Sequence, residues 1–390
     1  MNPHPELLIC FLSSAHPPLD KRVYEKEAKS LAFKNYKVIH LAPSSTDLID
    51  DNIIEIRTFR PRTGLSGRLL NLTRLYAAAS GLDANVYHCN EVDSLLIGLV
   101  LKFRKQSICI FDVHEHYPEE FSEYYAPKFL KPFARLFLTL VIRLLSKLSD
   151  HVVLAKPSLI SNFKHLPEDR VHLIKNYSRI EIFRNIEDNR NQNKRLKLIH
   201  LGLFSRSRGW PQVIEAMAYC VDIDLLVVGN FNDGSEHDFN AQISQLNLEK
   251  RVKVVPWLPV HQAIEMVGQC DLGLITFQPN YYNNVHALPH KLFDYMGMGL
   301  PVIAPEFAVE VSRIIEENDC GFLVDTTDSN AIAGVLDEAS KNKERLKTLG
   351  ENARKAVMQH YNWENEEKVL LNLYKKISMS GKTSRKSDYT

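Results

Sequence analysis

The feature that most constrains this chain is an alternation of short apolar runs with helical stretches, in two series divided by a polar interval. In the first series Leu7–Leu12 reads as a buried strand, Asp20–Phe33 as a helix with Val23, Ala28, Leu31 and Ala32 as its apolar residues, and Tyr36–Leu41 as the next strand. The pattern recurs as strand Val86–Cys89, helix Ser94–Lys105 and strand Ile108–Asp112. Phe129–Leu148 then reads as a long helix and Val152–Leu154 as a strand. Strand, helix and strand joined by short connections form the βαβ unit of a parallel sheet. The stretch 181–197 turns polar and reads as an interdomain linker.

The alternation then restarts. Leu198–Leu201, Ile223–Val228, Val252–Val255, Leu272–Thr276, Val302–Ala304 and Phe322–Val324 read as strands. Gly209–Cys220, His261–Val267, Leu292–Met298, Ala331–Leu336 and Lys343–Gln359 read as helices, and Trp363–Ile377 is a last amphipathic one. A length of 390 residues suits two domains. The chain is therefore predicted to be α/β, with two doubly wound halves whose ligands bind at the carboxyl ends of the strands.

Composition narrows the function. Lys and Arg total 48 against 47 Asp and Glu, a net charge of +1 that gives no nucleic-acid footprint. Six cysteines are scattered singly with no C-x-x-C pair, which fits neither a zinc nor a disulfide framework and suits a reducing cytosol. Met1–Glu6 has no basic, apolar leader pattern. The apolar stretch Phe133–Leu148 is broken by Arg135, Arg143, Ser146 and Lys147, so it does not span a membrane. The polar tail 379–390 is expected to be disordered. Two segments are basic and apolar together. Residues 57–82 hold Arg57, Arg60, Arg62, Arg68 and Arg74 without an acid, with Gly64 and Gly67 as loop hinges, and 128–147 reads as a basic amphipathic helix. Such surfaces attract anionic lipid; the alternative is a half-buried helix on its own sheet.

No glycine lies between Cys10 and Asp20, and no G-x-x-x-x-G-K-[ST] occurs, which disfavours nicotinamide dehydrogenases and P-loop NTPases. The most informative stretch is 286–304. Pro289 suits the first turn of a helix, and Gly297 and Gly299 suit its end. Free N–H groups at such a helix start suit a diphosphate, Lys291 can reach the same anion, and Asp294 can accept from ribose hydroxyls. The alternative is a capped helix whose polar residues face water. Asp112-Val-His-Glu-His-Tyr-Pro118 closes a strand, but it is not H-E-x-x-H, and Pro118 would interrupt the helix a zinc protease needs. His114 can polarise or deprotonate a hydroxyl near neutral pH, or simply bond the backbone. Asp20 and Arg22 are read as site residues or as a loop ion pair. Asp222-x-Asp224 has the look of a metal-binding D-x-D but leads into a strand and is read as structural.

Four segments together resemble family 4 glycosyltransferases, the group 1 family. Pro289-His-Lys-Leu-Phe-Asp-Tyr-Met-Gly-Met-Gly-Leu-Pro-Val-Ile-Ala304 resembles the donor segment with its E-x7-E pair; Asp294 takes the second acidic position and His286 the first. His16–Ala32 resembles the D-x-R-v-x-x-E-A element of a bacterial surface-polysaccharide subgroup, and Phe111–Glu119 its D-x-H-E-x-x-P. Gly202–Gly209 resembles the phosphate loop, with Leu203 where the family usually has Arg and Arg208 before the second glycine. Tyr361-Asn-Trp-Glu364 fits the start of the family's last helix.

The resemblance implies a GT-B fold, with two Rossmann-like domains facing across a cleft and a C-terminal helix crossing back. The N-terminal domain is 1–180 plus 364–378, the linker 181–195, and the C-terminal domain 196–363. It implies transfer of a sugar, with retention and without a metal or other cofactor, from a UDP- or GDP-linked donor to a lipid-linked or polysaccharide hydroxyl. By the same resemblance His114 and Asp294 are catalytic. Gly202, Arg206, Arg208, His286, Leu288, Lys291 and Asp294 hold the donor, while Asp20, Arg22 and Glu115 lie on the acceptor side. A cytoplasmic protein at the inner face of the plasma membrane follows. The rivals are a nucleotide-sugar 2-epimerase and a non-catalytic sugar-nucleotide-binding protein.

Overall fold

The computed structural model describes residues 7–45, 51–62, 64–186, 190 and 195–380, in two compact units. Met1–Glu6 and residues 381–390 lie outside it, as do 187–189 and 191–194 of the expected linker. Unit 1 runs to Lys175 and takes back the chain from Asn365; unit 2 is Asn176–Glu364. The stretch 181–195 thus falls within unit 2.

Unit 1 is one seven-stranded sheet. Its strands are β1 (Leu8–Leu12), β2 (Lys37–Pro43), β3 (Glu55–Phe59), β4 (Val86–Cys89), β5 (Ile108–Val113), β6 (His151–Leu154) and β7 (Val171–Leu173), in the order β3-β2-β1-β4-β5-β6-β7. Every pair is parallel. Central strands of such a sheet are covered on both faces, so they read as unbroken apolar runs. All six residues of β5 are buried, and its one charge, Asp112, sits near the carboxyl end. The helices are α1 (Lys29–Ala32), α2 (Gly64–Ser80), α3 (Val92–Lys105), α4 (Tyr117–Tyr125) and α5 (Lys131–Leu148).

Two expectations need correction here. The helix expected over Asp20–Phe33 opens as a π-helical stretch, Val23–Ala28, before α1, with Glu27 N–H bonded to the Arg22 carbonyl at 3.0 Å. The segment 57–82 is a strand end and a helix rather than a hinged loop: Gly64 and Gly67 both lie in α2. His114 and Glu115 precede α4 and lie in no helix, and Pro118 sits in the first turn of α4, where a missing N–H leaves no bond unmade.

Unit 2 repeats the architecture with six parallel strands in the order β10-β9-β8-β11-β12-β13. They are β8 (Leu196–Leu201), β9 (Ile223–Val228), β10 (Val252–Val255), β11 (Leu272–Leu274), β12 (Val302–Pro305) and β13 (Gly321–Val324). Around them pack α6 (Trp210–Tyr219), α7 (Glu236–Gln245), α8 (Val260–Val267), α9 (Tyr282–Val285), α10 (His290–Gly297), α11 (Val309–Asn318), α12 (Ser329–Lys341) and α13 (Lys343–Gln359). The last helix, α14 (Trp363–Met379), starts at the end of unit 2, and from Asn365 onward it belongs to unit 1. Within unit 1 the Tyr374 hydroxyl bonds His88 Nδ1 at 2.8 Å, and Lys175 N–H bonds Glu366 at 2.8 Å.

Each sheet reverses its strand order at the first strand, β1/β4 in one unit and β8/β11 in the other, and the loops at those carboxyl ends are where a doubly wound fold binds ligands. In unit 2 that region depends on Gly209, which has φ +80° and whose Cβ would stand 2.0 Å from the Thr276 carbonyl oxygen. Gly209→Ala is expected to destabilise unit 2 by more than about 2 kcal/mol, measured by urea unfolding.

Candidate functional site

The carboxyl end of β8 in unit 2 is built by close backbone approach. Gly202 has φ +93°, and its N–H bonds the Val228 carbonyl at 2.9 Å. The Gly202 Cβ position itself meets nothing within 4 Å, so this turn faces open space. The chain continues through a short 3-10 turn, Arg206–Arg208, into α6, with Gly209 as the residue before the helix.

His200, one residue before the end of β8, gathers the charges. Its Nε2 lies 3.0 Å from Lys291 Nζ, in the first turn of α10, and 3.0 Å from the Leu203 carbonyl. A single ring nitrogen cannot both accept from Lys291 and donate to Leu203, so it serves one partner at a time. Burial first, then the charges of Lys291 and Arg208, hold the imidazole well below its usual range. It is neutral, and two cations share its surroundings. Arg208 also stacks over the Phe277 ring at 4.5 Å, and the Thr276 hydroxyl donates to its carbonyl at 2.7 Å. Arg208 and Lys291 are thereby brought to one place, beside Gly202. Arg206 is not: its exposed guanidinium pairs with Asp238 and lies over Trp210, at 5.2 Å from the ring.

Asp294 is buried on the inner side of α10. It accepts from the Ser178 hydroxyl at 2.7 Å and lies 3.3 Å from His290 Nδ1. Ser178 in turn is tied to the start of α14, its carbonyl accepting from Trp363 N–H at 2.9 Å. His286 follows α9 and packs its ring on Tyr282 at 4.5 Å. Leu288 is half-buried and packs against the hydrophobic core of unit 2. Asp222 and Asp224 stand at the amino end of β9, the opposite edge from Gly202, and Asp224 faces Arg195 at 3.4 Å.

In unit 1 the corresponding loop after β1 is already filled from within. The Glu91 carboxylate, at the start of α3, accepts the backbone N–H groups of Ser14, Ala15 and His16 at 2.9, 3.1 and 3.0 Å. It also accepts from the hydroxyls of Ser14 and Ser94 and from His16 Nδ1, the last at 2.5 Å. Burial would raise this carboxyl, but the His16 hydrogen bond and charge and the backbone N–H groups hold it at about 2. A glycine-rich nucleotide loop leaves such N–H groups for a phosphate. Here they already have an anion.

Asp112 organises the rest. It takes two guanidinium N–H groups of Arg22, at 3.2 and 3.0 Å, and His114 Nε2 at 2.8 Å. Burial opposes its ionisation, and Arg22 and His114 outweigh that, so the carboxylate stays charged. Arg22 also reaches Glu27 at 2.9 Å; Glu27 is the member of the group that burial, and then the Asp112 charge, push well above the usual carboxylate range. Glu27, His88 and Asp112 could hold a metal ion by their spacing, but the Arg22 guanidinium already supplies the cation there. Asp20 does not pair with Arg22 as a loop ion pair. Its carboxylate accepts the N–H groups of Arg22 and Val23 at 2.8 and 2.9 Å, capping the π-helical turn. Glu115 is half exposed and bonded to buried Lys156, and His116 is buried against Ser158 and Asn162.

Sequence reasoning missed His16, Glu91, His200 and Ser178. The glycine-free β1 loop was the available signal for the first two, since its N–H groups require some internal anion. Nothing in the sequence pointed to Ser178.

Residues 181–356 match the family model described as glycosyl transferases group 1. The chain is 26% identical over 168 residues to the N-acetyl-alpha-D-glucosaminyl L-malate synthase of Bacillus anthracis, covering 42% of this chain and 41% of that one. It is 22% identical over 173 residues to the amylovoran biosynthesis glycosyltransferase AmsK of Erwinia amylovora, 43% and 41% of the two chains. The chain thus spans about two-fifths of the length of these curated relatives. Among solved structures, sucrose-phosphate synthase from Thermosynechococcus elongatus aligns with a TM-score of 0.74 at 18% identity, covering 95% of this chain and 99% of that one. Anabaena HepE in complex with UDP and glucose aligns at 0.71 and 17%, covering 95% and 100%. These likenesses show the fold, which is GT-B.

Removing the shared guanidinium leaves Asp112 and Glu27 facing each other in the interior. Arg22→Met is expected to cost about 3–5 kcal/mol in urea unfolding, far more than substitution of the exposed Arg206.

Proposed function

We propose, from the premise that residues 181–356 make this chain a member of the group 1 glycosyltransferases, that it moves a sugar from a nucleotide-diphosphate sugar, UDP- or GDP-linked, to a hydroxyl of a lipid-linked or polysaccharide acceptor, with retention. The observation that carries the donor half is the meeting of Arg208 and Lys291 around neutral His200, beside the open turn at Gly202. A departing nucleoside diphosphate gains negative charge, and two cations with the N–H groups at the start of α10 stabilise it in place of a metal. Keeping His200 neutral lets both cations stay charged without a third repelling them. Asp294 is the acceptor for ribose hydroxyls, with Ser178 and His290 orienting it. HepE, one of the structural neighbours, is itself described in complex with UDP and glucose. Unit 1 supplies the acceptor side, with His114 as the group that meets a hydroxyl.

The acceptor's lipid accounts for an outer face of unit 1 that water alone would not favour. Phe129, Phe133, Phe137, Leu140 and Leu144 recur at helical spacing on and before α5, and all point outward; Phe129 and Phe133 are 76% and 71% exposed. Lys128, Lys131, Arg135, Arg143 and Lys147 flank them, and no acid occurs between 126 and 149. That pairing of apolar stripe and positive charge suits an anionic membrane surface. No helix among the described residues is long and apolar enough to cross a membrane.

Thermal-shift measurements with UDP, GDP, ADP and their sugars test the donor site. One nucleotide family is expected to raise the melting temperature, by about 2.7 kcal/mol of stabilisation at a hundredfold excess over Kd, and Arg208→Ala and Asp294→Ala are expected to abolish the shift. Product analysis with the donor alone separates transfer from epimerisation. A chain that neither transfers nor hydrolyses any nucleotide sugar is a binding protein instead. Flotation with anionic vesicles tests the surface: binding is expected to weaken at high salt and to fall at least about tenfold in Phe133→Ser/Phe137→Ser, while neutral vesicles bind little.

A further inference from the structure

Between Glu91 and Asp112 in unit 1 two imidazoles stand in series. His16 Nδ1 is 2.5 Å from Glu91, His16 Nε2 is 3.2 Å from His114 Nδ1, and His114 Nε2 is 2.8 Å from Asp112. A carboxylate only accepts, so the ring nitrogen facing each carboxylate carries a hydrogen. The contact between the two rings then needs one more, on His16 Nε2 or on His114 Nδ1. The pair therefore holds three N–H hydrogens, one more than two neutral imidazoles carry.

We propose that Glu91 and His16 are positioning residues for His114: they keep an extra proton on the two-ring pair, which fixes His114 with Nε2–H on Asp112 and Nδ1 on the edge that an acceptor hydroxyl can take over from His16. This rests on the transferase reading for its consequence, but the proton count stands on the geometry alone. Three features support it. The pair reaches the surface, with His16 25% and His114 12% exposed, while the flanking carboxylates are closed off. Glu91 is itself locked by three backbone N–H groups, so it cannot swing away from His16. The groups facing His16 are Glu91 from α3, Asp20 from its own loop, Asp112 and His114 at the end of β5, and His40 from β2. Burial works against a charged His16, but the Glu91 hydrogen bond and charge, with Asp20 and Asp112, prevail and push it up to about 9. The extra proton is thus fully present below 6.5 and is lost as the pH rises through about 9.

Nδ1 of His114 is then an acceptor that faces His16 Nε2 at 3.2 Å, on a half-buried ring that Asp112 prevents from turning. An acceptor hydroxyl donating to that nitrogen replaces the His16 N–H, and the proton on His16 remains with Glu91. No bond to the ring is made or broken in this exchange.

The test uses the full chain and needs no knowledge of the acceptor for its first arm. Nitrogen-15 spectra of the imidazoles at neutral pH are expected to show one doubly protonated ring in the His16–His114 pair, and two neutral rings in Glu91→Gln. In sugar transfer, Glu91→Gln is expected to lower kcat by about 10-fold or more with the KM for nucleotide sugar unchanged, and to shift the alkaline limb of the kcat profile from about 9 toward 6.5. His16→Gln, whose amide N–H can replace the donor, should recover activity that His16→Leu loses, and these two carry the test if Glu91→Gln does not fold. Two neutral rings in the wild-type chain, an unaltered spectrum and profile in Glu91→Gln, or full activity in His16→Leu would each overturn the proposal. Absence of transfer from every nucleotide sugar by the wild type would instead sink the transferase reading, and the spectra would still decide the proton count.

Discussion

Where the first loop of each sheet finds its anion decides what the two units can do. A parallel sheet directs the N–H groups of its connecting loops toward the carboxyl ends of its strands, and they require acceptors. Unit 1 answers with Glu91, which takes the N–H groups of Ser14, Ala15 and His16. In unit 2 the turn at Gly202 faces open space, with Arg208 and Lys291 around His200, while further along the same loop the Asp233 carboxylate takes the Arg206 N–H at 2.8 Å. One architecture thus appears twice, with the β1 loop closed on Glu91 and the Gly202 turn left open beside two cations. On the function proposed above, that difference assigns the nucleotide to unit 2 and leaves unit 1 for a neutral partner such as a sugar hydroxyl.

Filling the unit 1 loop from within brings a second constraint, because a buried carboxylate needs compensation. The structure distributes it over a connected set: Arg22 serves Asp112 and Glu27, and the two imidazoles bridge Asp112 to Glu91. Each carboxylate is stabilised by a neighbour that another carboxylate also needs, so no single member can be removed without exposing another to the interior. The π-helical opening of the first helix fits this demand. Its wider turn, capped by Asp20, delivers Arg22 inward rather than to solvent.

Much of this was legible beforehand, and unevenly. Val86–Cys89, Ile223–Val228, Val252–Val255 and Lys343–Gln359 fall where periodicity and punctuation put them, because buried parallel strands have few sequence alternatives. β3 and α2 were not legible: glycines at 64 and 67 and a run of arginines resemble a loop, yet the segment adds the edge strand β3 beside β2 and then a helix. At the site, Arg208 and Lys291 were visible as cations beside helix starts. Arg206 looked equivalent, yet Asp238 on α7, an element with no clear apolar period, draws it aside. His200 was hidden inside an apolar strand, where an imidazole reads as one more interior residue.

The outer face of α5 reverses the usual arrangement of a surface helix. Only Ile142 and Ser146 of α5 are buried, while the phenylalanines and leucines that would ordinarily form a core stand in solvent. Inward packing does not account for them: of the apolar residues of α5 only Ile142, with Leu145 beside it, joins the core of unit 1. Exposing such a row has a cost that scales with its area, roughly 25 cal/mol per Å². The arginines and lysines beside it do not reduce that cost, but they make the face attractive to an anionic boundary. Under the proposed function, such a face lets an enzyme meet a lipid-borne acceptor in two dimensions.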